Sequence, residues 1–228
     1  LGADIRAYRP ARSEAARLAK LLETHRIDIV IDVGSNSGQY ARHLRSIGYK
    51  GRIVCFEPLL EAFGQLTKYA RKDCNVTIAP RMALGERTAS VSINVAANSE
   101  SSSLLSVSDT HISLEPLAKS IGNETVPLNR LDDVVFDYLL GSNNIFLKID
   151  VQGYEMAVLR GASELLRKAK GIQLELSLEP LYSDETLYRE MIDYVESLGF
   201  QLFDINPCFS DDKTGKTFQV DGVFFRNL

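Results

Sequence analysis

Apolar residues recur along this chain in two periods, and each change of period predicts a new element. After Ser13, Glu14-Ala15-Ala16-Arg17-Leu18-Ala19-Lys20-Leu21-Leu22 keeps its apolar positions at helical spacing, which predicts a leading helix to about residue 25. Asp28-Ile29-Val30-Ile31-Asp32-Val33 is a short β-branched run closed by glycine, the pattern of a strand buried on both faces. A helix over 38–47, a strand over 52–57, a helix after Pro58 and a strand over 75–79 complete a βαβαβ order. Residues 88–113 break this rhythm: Val91-Ser92-Ile93-Asn94-Val95 alternates like an exposed strand, and 98–103 is polar loop material.

The alternation resumes with a helix near 131–140, a strand over 145–149, a helix over 154–168, a strand over 171–176 and a helix over 184–198. Two strands joined by a turn-rich stretch come next, over 200–205 and 218–226, and Val220-Asp221-Gly222-Val223-Phe224-Phe225 suits an antiparallel strand placed inside the sheet edge. Parallel strands with helical crossovers form a Rossmann-like, doubly wound α/β sheet whose ligands sit beyond the carboxyl ends of the strands. The expected organisation is a helical arm at 1–27, covering the sheet edge or the site mouth, and one domain at 28–228 with a lid inserted at 98–125.

Composition narrows this picture. The chain has 228 residues, 45% hydrophobic and 25% charged, enough for one α/β domain with a sizeable core. A net charge of -4 gives no footprint for nucleic acid, and the basic groups Arg42-His43-Arg45 and Arg167-Lys168-Lys170 read as solvated helix faces. Cys55, Cys74 and Cys208 are widely spaced without a CxxC pair, which argues for a reducing, cytoplasmic setting. No apolar run reaches the ~20 residues of a membrane span, and no basic-then-apolar signal pattern opens the chain.

Candidate chemistry gathers at the strand ends. Asp32-Val33-Gly34-Ser35-Asn36-Ser37-Gly38 leads a strand through a glycine-rich turn into a helix: Gly34 admits a close ligand, Gly38 starts the helix tight against the strand, and Asp32 supplies a carboxylate. The spacing is GxxxG rather than GxGxxG, so the glycine that admits a pyrophosphate is missing. A ligand without phosphate but with positive charge, such as S-adenosylmethionine, fits better than a dinucleotide. Glu57, about 20 residues on, is placed to accept ribose hydroxyls, and Met82-Ala83 after the third strand are candidates to wall the adenine.

A second constellation lies in Phe146-Leu147-Lys148-Ile149-Asp150, where two-residue alternation puts Lys148 and Asp150 on one face. Glu175, a charge inside an apolar strand, requires a partner. With Asp150 it would serve as general base or, with water, hold Mg²⁺. His111, in the irregular insertion, is a further proton-transfer candidate.

Four segments in order resemble the FkbM-type methyltransferases: Ile31-Asp32-Val33-Gly34-Ser35-Asn36-Ser37-Gly38, Phe56-Glu57-Pro58, Leu131-Asp132-Asp133, and Leu147-Lys148-Ile149-Asp150-Val151-Gln152-Gly153-Tyr154-Glu155 followed by Val158-Leu159-Arg160-Gly161-Ala162. Gln152 departs from the glutamate usual in that family. The resemblance implies the class I methyltransferase fold, a mostly parallel seven-stranded sheet with a C-terminal antiparallel strand. It implies transfer of a methyl group from S-adenosylmethionine to a hydroxyl of a sugar, glycolipid or polyketide-like natural product.

On this reading Asp32, Gly34, Ser35, Asn36, Gly38, Tyr40, Glu57, Pro58, Met82, Ala83 and Asp150 bind the cofactor. Asp150 is the base or metal ligand, Lys148 and Glu155 orient it, and Glu175 and His111 stand in reserve. The expected partner is a small-molecule hydroxyl acceptor, with homo-oligomerisation open. A non-catalytic adenosylmethionine-binding domain and a nicotinamide-dependent oxidoreductase are the alternatives.

Overall fold

The computed structural model describes residues 7–139 and 141–227. Residues 1–6 of the expected arm, Leu140 at the end of the helix expected over 131–140, and Leu228 lie outside the described residues. Ser13 caps α1 (Glu14–Thr24) by accepting from the Ala16 amide, and β1 (Ile29–Val33), α2 (Gln39–Ser46), β2 (Arg52–Phe56), α3 (Leu60–Ala70) and β3 (Val76–Ile78) follow in the expected order. Then come β4 (Ala83–Gly85), β5 (Ala89–Ala96), a 3-10 turn (Ser99–Ser101), α4 (Asp109–Leu114), β6 (Ser120–Arg130), α5 (Leu131–Val134) and α6 (Phe136–Leu139). The chain continues through β7 (Ile145–Ile149), α7 (Glu155–Arg160), α8 (Ser163–Lys168), β8 (Ala169–Ser177), α9 (Tyr188–Ser197), β9 (Gln201–Ser210) and β10 (Thr217–Phe225).

These strands form a seven-stranded sheet in the order β3-β2-β1-β7-β8-β10-β9, parallel from β3 through β8, with β10 antiparallel to both β8 and β9. The chain winds from β1 toward β3 and then, from β7, to the other side. The crevice at this reversal opens between the ends of β1 and β7, the place where such sheets take ligands.

Alternation along the strands divides the core. Ile29, Ile31 and Val33 face a cluster with Leu147, Met156, Leu165 and Met191, whereas Val30 faces Leu44, Leu66 and Phe146. Helix α1 adds Leu18 and Leu22 to the second cluster and ties Arg17 to Asp204 at 2.7 Å. It therefore packs on a sheet face and is tied to β9, the edge strand of the sheet.

Two features differ from the sequence expectation. Over 120–130 the chain is a strand rather than part of an irregular insertion: β6 pairs with β5 and β4 in a three-stranded sheet that buries Ile93, Val126 and Leu128 against Leu59 and Ala62. The helix expected over 154–168 breaks at Gly161-Ala162 into α7 and α8. A Cβ on Gly161 would lie 1.9 Å from the Gly85 carbonyl oxygen, so only glycine lets β4 pass. The new helix start is capped from a distance, because Asp132 accepts the Glu164 and Leu165 amides at 2.9 Å each. No helix among the described residues is long and apolar enough to cross a membrane.

Candidate active site

The turn after β1 is built by contacts that constrain its backbone. Gly34 has φ +81°, and its amide and that of Ser35 both donate to the Phe56 carbonyl at 3.1 Å. A Cβ at Gly34 would lie 1.8 Å from the carbonyl oxygen of Asp150. The glycine thus lets the end of β1 close on the end of β7, and it lies in the wall of the cavity beyond them. Gly38 caps α2 from the left-handed region at φ +93°, against Leu66 and Tyr69 of α3. The Ser35 hydroxyl donates to the Asp32 carbonyl at 2.8 Å and holds the turn inward.

Beyond these strand ends is a cavity of about 420 Å3, with Ser35, Asn36, Tyr40, Glu57, Met82 and Ala83 in its wall. Pro58 joins them beside Glu57. Glu57 is 3% exposed: Oε2 accepts the Asn36 amide at 2.7 Å and Oε1 the Leu59 amide at 2.8 Å. Burial pushes this carboxyl up to about 7 against the pull of those two amides. It braces the turn and the start of α3 while keeping acceptor lone pairs for a ligand.

Asp32 and Gly38 line no part of the cavity wall. Strand register explains the first: Asp32 lies beside Lys148 and Cys55, completely buried on the sheet face. Among the described residues neither Asp32 carboxylate oxygen has a hydrogen-bond partner, Lys148 Nζ stands 3.7 Å away, and burial raises the carboxyl despite that cation. Its expected contact with a cofactor is replaced by a supporting place behind Lys148.

Lys148 and Asp150 share a face, as alternation requires, and Lys148 Nζ is 3.0 Å from Asp150 Oδ2. The ammonium also lies 5.2 Å over the Tyr40 ring, whose hydroxyl donates to Gln173 at 2.7 Å. Burial alone would depress Lys148, but Asp150 and Asp32 outweigh it and hold the group above its ordinary value. Lys148 is therefore held in its charged form beside Asp150.

Glu175 also reaches the cavity, facing Asp221 across the β8–β10 pair. Burial, reinforced by Asp150, raises Glu175 well above the usual carboxylate range and pushes Asp221 up to about 6. The amide of Gln152 stands between the acids, its Nε2 donating to Asp150 Oδ1 and Glu175 Oε2 at 2.8 Å each. Gln152 and Asp221 were not among the expected site residues. For Asp221 the signal is the one that marks Glu175, a charge inside an apolar strand; Gln152 stands out in the sequence only as a departure from the glutamate of the motif.

Glu155 and His111 lie outside the cavity wall. Glu155, at the start of α7, accepts the Val151 and Gly153 amides at 2.9 and 3.2 Å, and burial raises it to about 7. It orders the loop that follows Asp150. His111, on α4, packs edge-on against Tyr182 at 5.2 Å with its imidazole depressed by burial. It is a packing residue behind the site, where proton transfer to a molecule in the cavity has no direct route. Among the described residues, no group of three or more His, Cys, Asp or Glu is arranged to hold a metal ion. The Mg²⁺ expected at Asp150 and Glu175 thus lacks a ligand set, and an amide separates the two carboxylates.

A polar segment crosses the mouth. Asn36 donates to the Ser99 hydroxyl at 3.1 Å and Gln39 to Glu100 at 2.7 Å, tying it to the turn after β1. On the far side the Ser103 hydroxyl donates to the Gln152 carbonyl at 2.6 Å.

Comparison with known proteins agrees with this architecture. The family model described as Methyltransferase FkbM domain matches residues 32–202. The 2-O-methyltransferase NoeI of Sinorhizobium fredii is 25% identical over 182 residues, covering 74% of this chain and 71% of that protein. The hexuronic acid methyltransferase AglP of Haloferax volcanii is 26% identical over 175 residues, 76% of this chain and 66% of its own length. Among solved structures, methyltransferase FkbM from Methylobacillus flagellatus KT superposes with a TM-score of 0.51 at 16% identity, over 87% of this chain and 43% of that one. This last likeness is one of fold.

Proposed function

The chain belongs to the FkbM methyltransferase family, and from that premise we propose that it is an S-adenosylmethionine-dependent O-methyltransferase acting on a hydroxyl of a small molecule, in the class of sugars, glycolipids and polyketide-like products. The observation that carries this reading is the position of Glu57, a buried carboxylate at the end of β2 that lines the cavity beside the turn after β1. The donor set fits adenosylmethionine: an acceptor for ribose hydroxyls at Glu57, apolar wall at Met82 and Ala83, polar groups at Ser35 and Asn36, and an anionic floor for a cationic ligand. When bound, the cofactor supplies an electrophilic methyl group.

The chain's own residues prepare the acceptor. Asp150 is half-exposed in the cavity and carries one fixed donor on each oxygen, Lys148 on Oδ2 and Gln152 on Oδ1. In this proposal it takes the proton of the acceptor hydroxyl, while the neighbouring ammonium and amide hold the carboxylate in place. Alignment inside the cavity contributes the remainder of the rate. The acceptor itself is drawn from the sugar-related names of the two relatives, a 2-O-methyltransferase and a hexuronic acid methyltransferase.

Calorimetric titration with adenosylmethionine, with NAD⁺ in parallel and a Glu57→Ala variant as control, tests the reading. Adenosylmethionine binding that is lost in the variant supports it and directs a screen of hydroxylated glycosides. Preference for NAD⁺, or no binding by the wild type, overturns it.

A further inference from the structure

Gln152 is held more tightly than a loop residue needs to be. It has φ +57°, a left-handed conformation unusual for a residue with a side chain, and is followed by Gly153 at φ +91°. Two contacts fix that backbone: Ser103 donates to the Gln152 carbonyl, and Glu155 accepts the Gly153 amide. The conformation sends the side chain between Asp150 and Glu175, and both hydrogens of its amide are used on their carboxylates.

The amide oxygen is fixed as well. Tyr182, buried in the loop after β8, donates to Gln152 Oε1 at 2.7 Å and lies 3.1 Å from the Ser101 carbonyl in the segment across the mouth. A phenol has one proton, and the shorter contact assigns it to Gln152. Turning the amide over would set its oxygen against two carboxylates and strand the Tyr182 proton, so the orientation has one stable answer.

From this network we propose that Gln152 is a positioning residue: its amide, with polarity set by Tyr182, clamps the Asp150 and Glu175 carboxylates in one geometry and ties that geometry to the segment over the cavity mouth. The proposal deepens the methyltransferase reading and rests on it for the purpose of the clamp, whereas the clamp itself is testable without a cofactor. The charged and titratable groups facing the pair are Lys148 and Asp32 from the strand ends, Glu155 from α7, Asp221 from β10, Cys208 from β9 and Tyr182. Lys148 alone among these is a cation, so a glutamate at 152 would place a further carboxylate against two others and require a proton to keep the same hydrogen bonds.

Two measurements test this. In protein labelled with ¹⁵N-glutamine, the Gln152 side-chain protons should exchange slowly with solvent, and Tyr182→Phe should speed their exchange about tenfold or more while leaving the amide of Gln65, on α3, as it was. The same spectrum of Gln152→Glu identifies the resonance by its loss. In calorimetry, Gln152→Glu should lose about tenfold in adenosylmethionine affinity relative to wild type between about pH 6 and pH 8.5, as its carboxyl ionises. Unchanged exchange in Tyr182→Phe, or a Gln152→Glu variant that follows the wild-type pH profile, overturns the clamp. Failure of the wild type to bind adenosylmethionine would defeat the cofactor reading and leave the exchange measurement to decide the clamp.

Discussion

At the scale of single residues, the site is a set of charges placed where water cannot screen them, and Glu57 is the clearest case. Its carboxyl sits at about 7, so near neutrality it is only partly ionised, and ionisation makes it the better acceptor for ribose hydroxyls. Adenosylmethionine affinity should therefore rise as pH passes upward through about 7, and Glu57→Gln should bind about tenfold more weakly with that rise abolished, both readable by calorimetry across pH. Residues of this kind are legible in the sequence because a charge inside an apolar strand is costly unless it is used: Glu57, Lys148, Asp150 and Glu175 all stand out this way, and Asp221 obeys the same rule. Gln152 and Tyr182 are not legible, since a neutral side chain in a loop carries no such anomaly and their meeting depends on packing between α7 and the loop after β8. His111 misleads for a related reason: an isolated histidine in an irregular segment says nothing about which way it faces, and this one faces Tyr182 and Phe209.

At the scale of elements, strands are easier to place than the breaks between helices. The buried strands announce themselves by composition, whereas the division of α7 from α8 is imposed by β4, whose carbonyl at Gly85 occupies the space a side chain at 161 would need. The same holds for Asp132, whose place in the Leu131-Asp132-Asp133 segment does not tell that it caps α8. Replacing it with alanine should cost ~1–2 kcal/mol in chemical denaturation, with cofactor affinity retained. Gly34→Ala should do more. A side chain there meets the Asp150 backbone and takes a disfavoured φ, so we expect a loss of ~2 kcal/mol or more together with loss of adenosylmethionine binding, because β1 and β7 must move apart. Equal losses of binding in the two variants would show that the contact is no more than general packing. Strand β6 escapes notice because Ser120-Ile121-Gly122-Asn123-Glu124 leaves its first residues exposed and only Val126 and Leu128 buried, too short a run to show alternation.

For the molecule as a whole, these acids set the pH dependence of stability. Glu57 and Glu155 ionise near 7 in the fold but near 4.5 when unfolded, so the folded state holds more protons between those values and its stability falls as pH rises through them. Asp221, Glu175 and Asp32 act in the same direction, while the depressed histidines His25 and His111 oppose it below about 6.5. Thermal unfolding should therefore give a falling Tm from about pH 5 to pH 7.5. Glu155→Gln, which keeps an acceptor for the loop amides, should flatten that decline; an unchanged slope would mean that Glu155 ionises like a solvated carboxylate. The doubly wound order itself is readable from the succession of strand and helix patterns, including the antiparallel strand within the sheet, which hydropathy can suggest but only pairing can place.

That strand has a consequence in time as well as in space. Strand β10 leaves the ribosome after β8 and β9 yet lies between them, so while the chain is still emerging β8 is paired on its β7 side alone and β9 has no strand neighbour. Asp221 of the cavity and Gln219, which donates to Glu175, arrive with it. The half of the sheet bearing β1, β2 and β7 can assemble during synthesis, but the acidic floor closes only when β10 threads into the gap. A nascent chain stalled before Thr217 would carry the turn after β1 and Glu57 without a finished pocket, and the exposed edge of β8 would be a natural place for a chaperone to hold it.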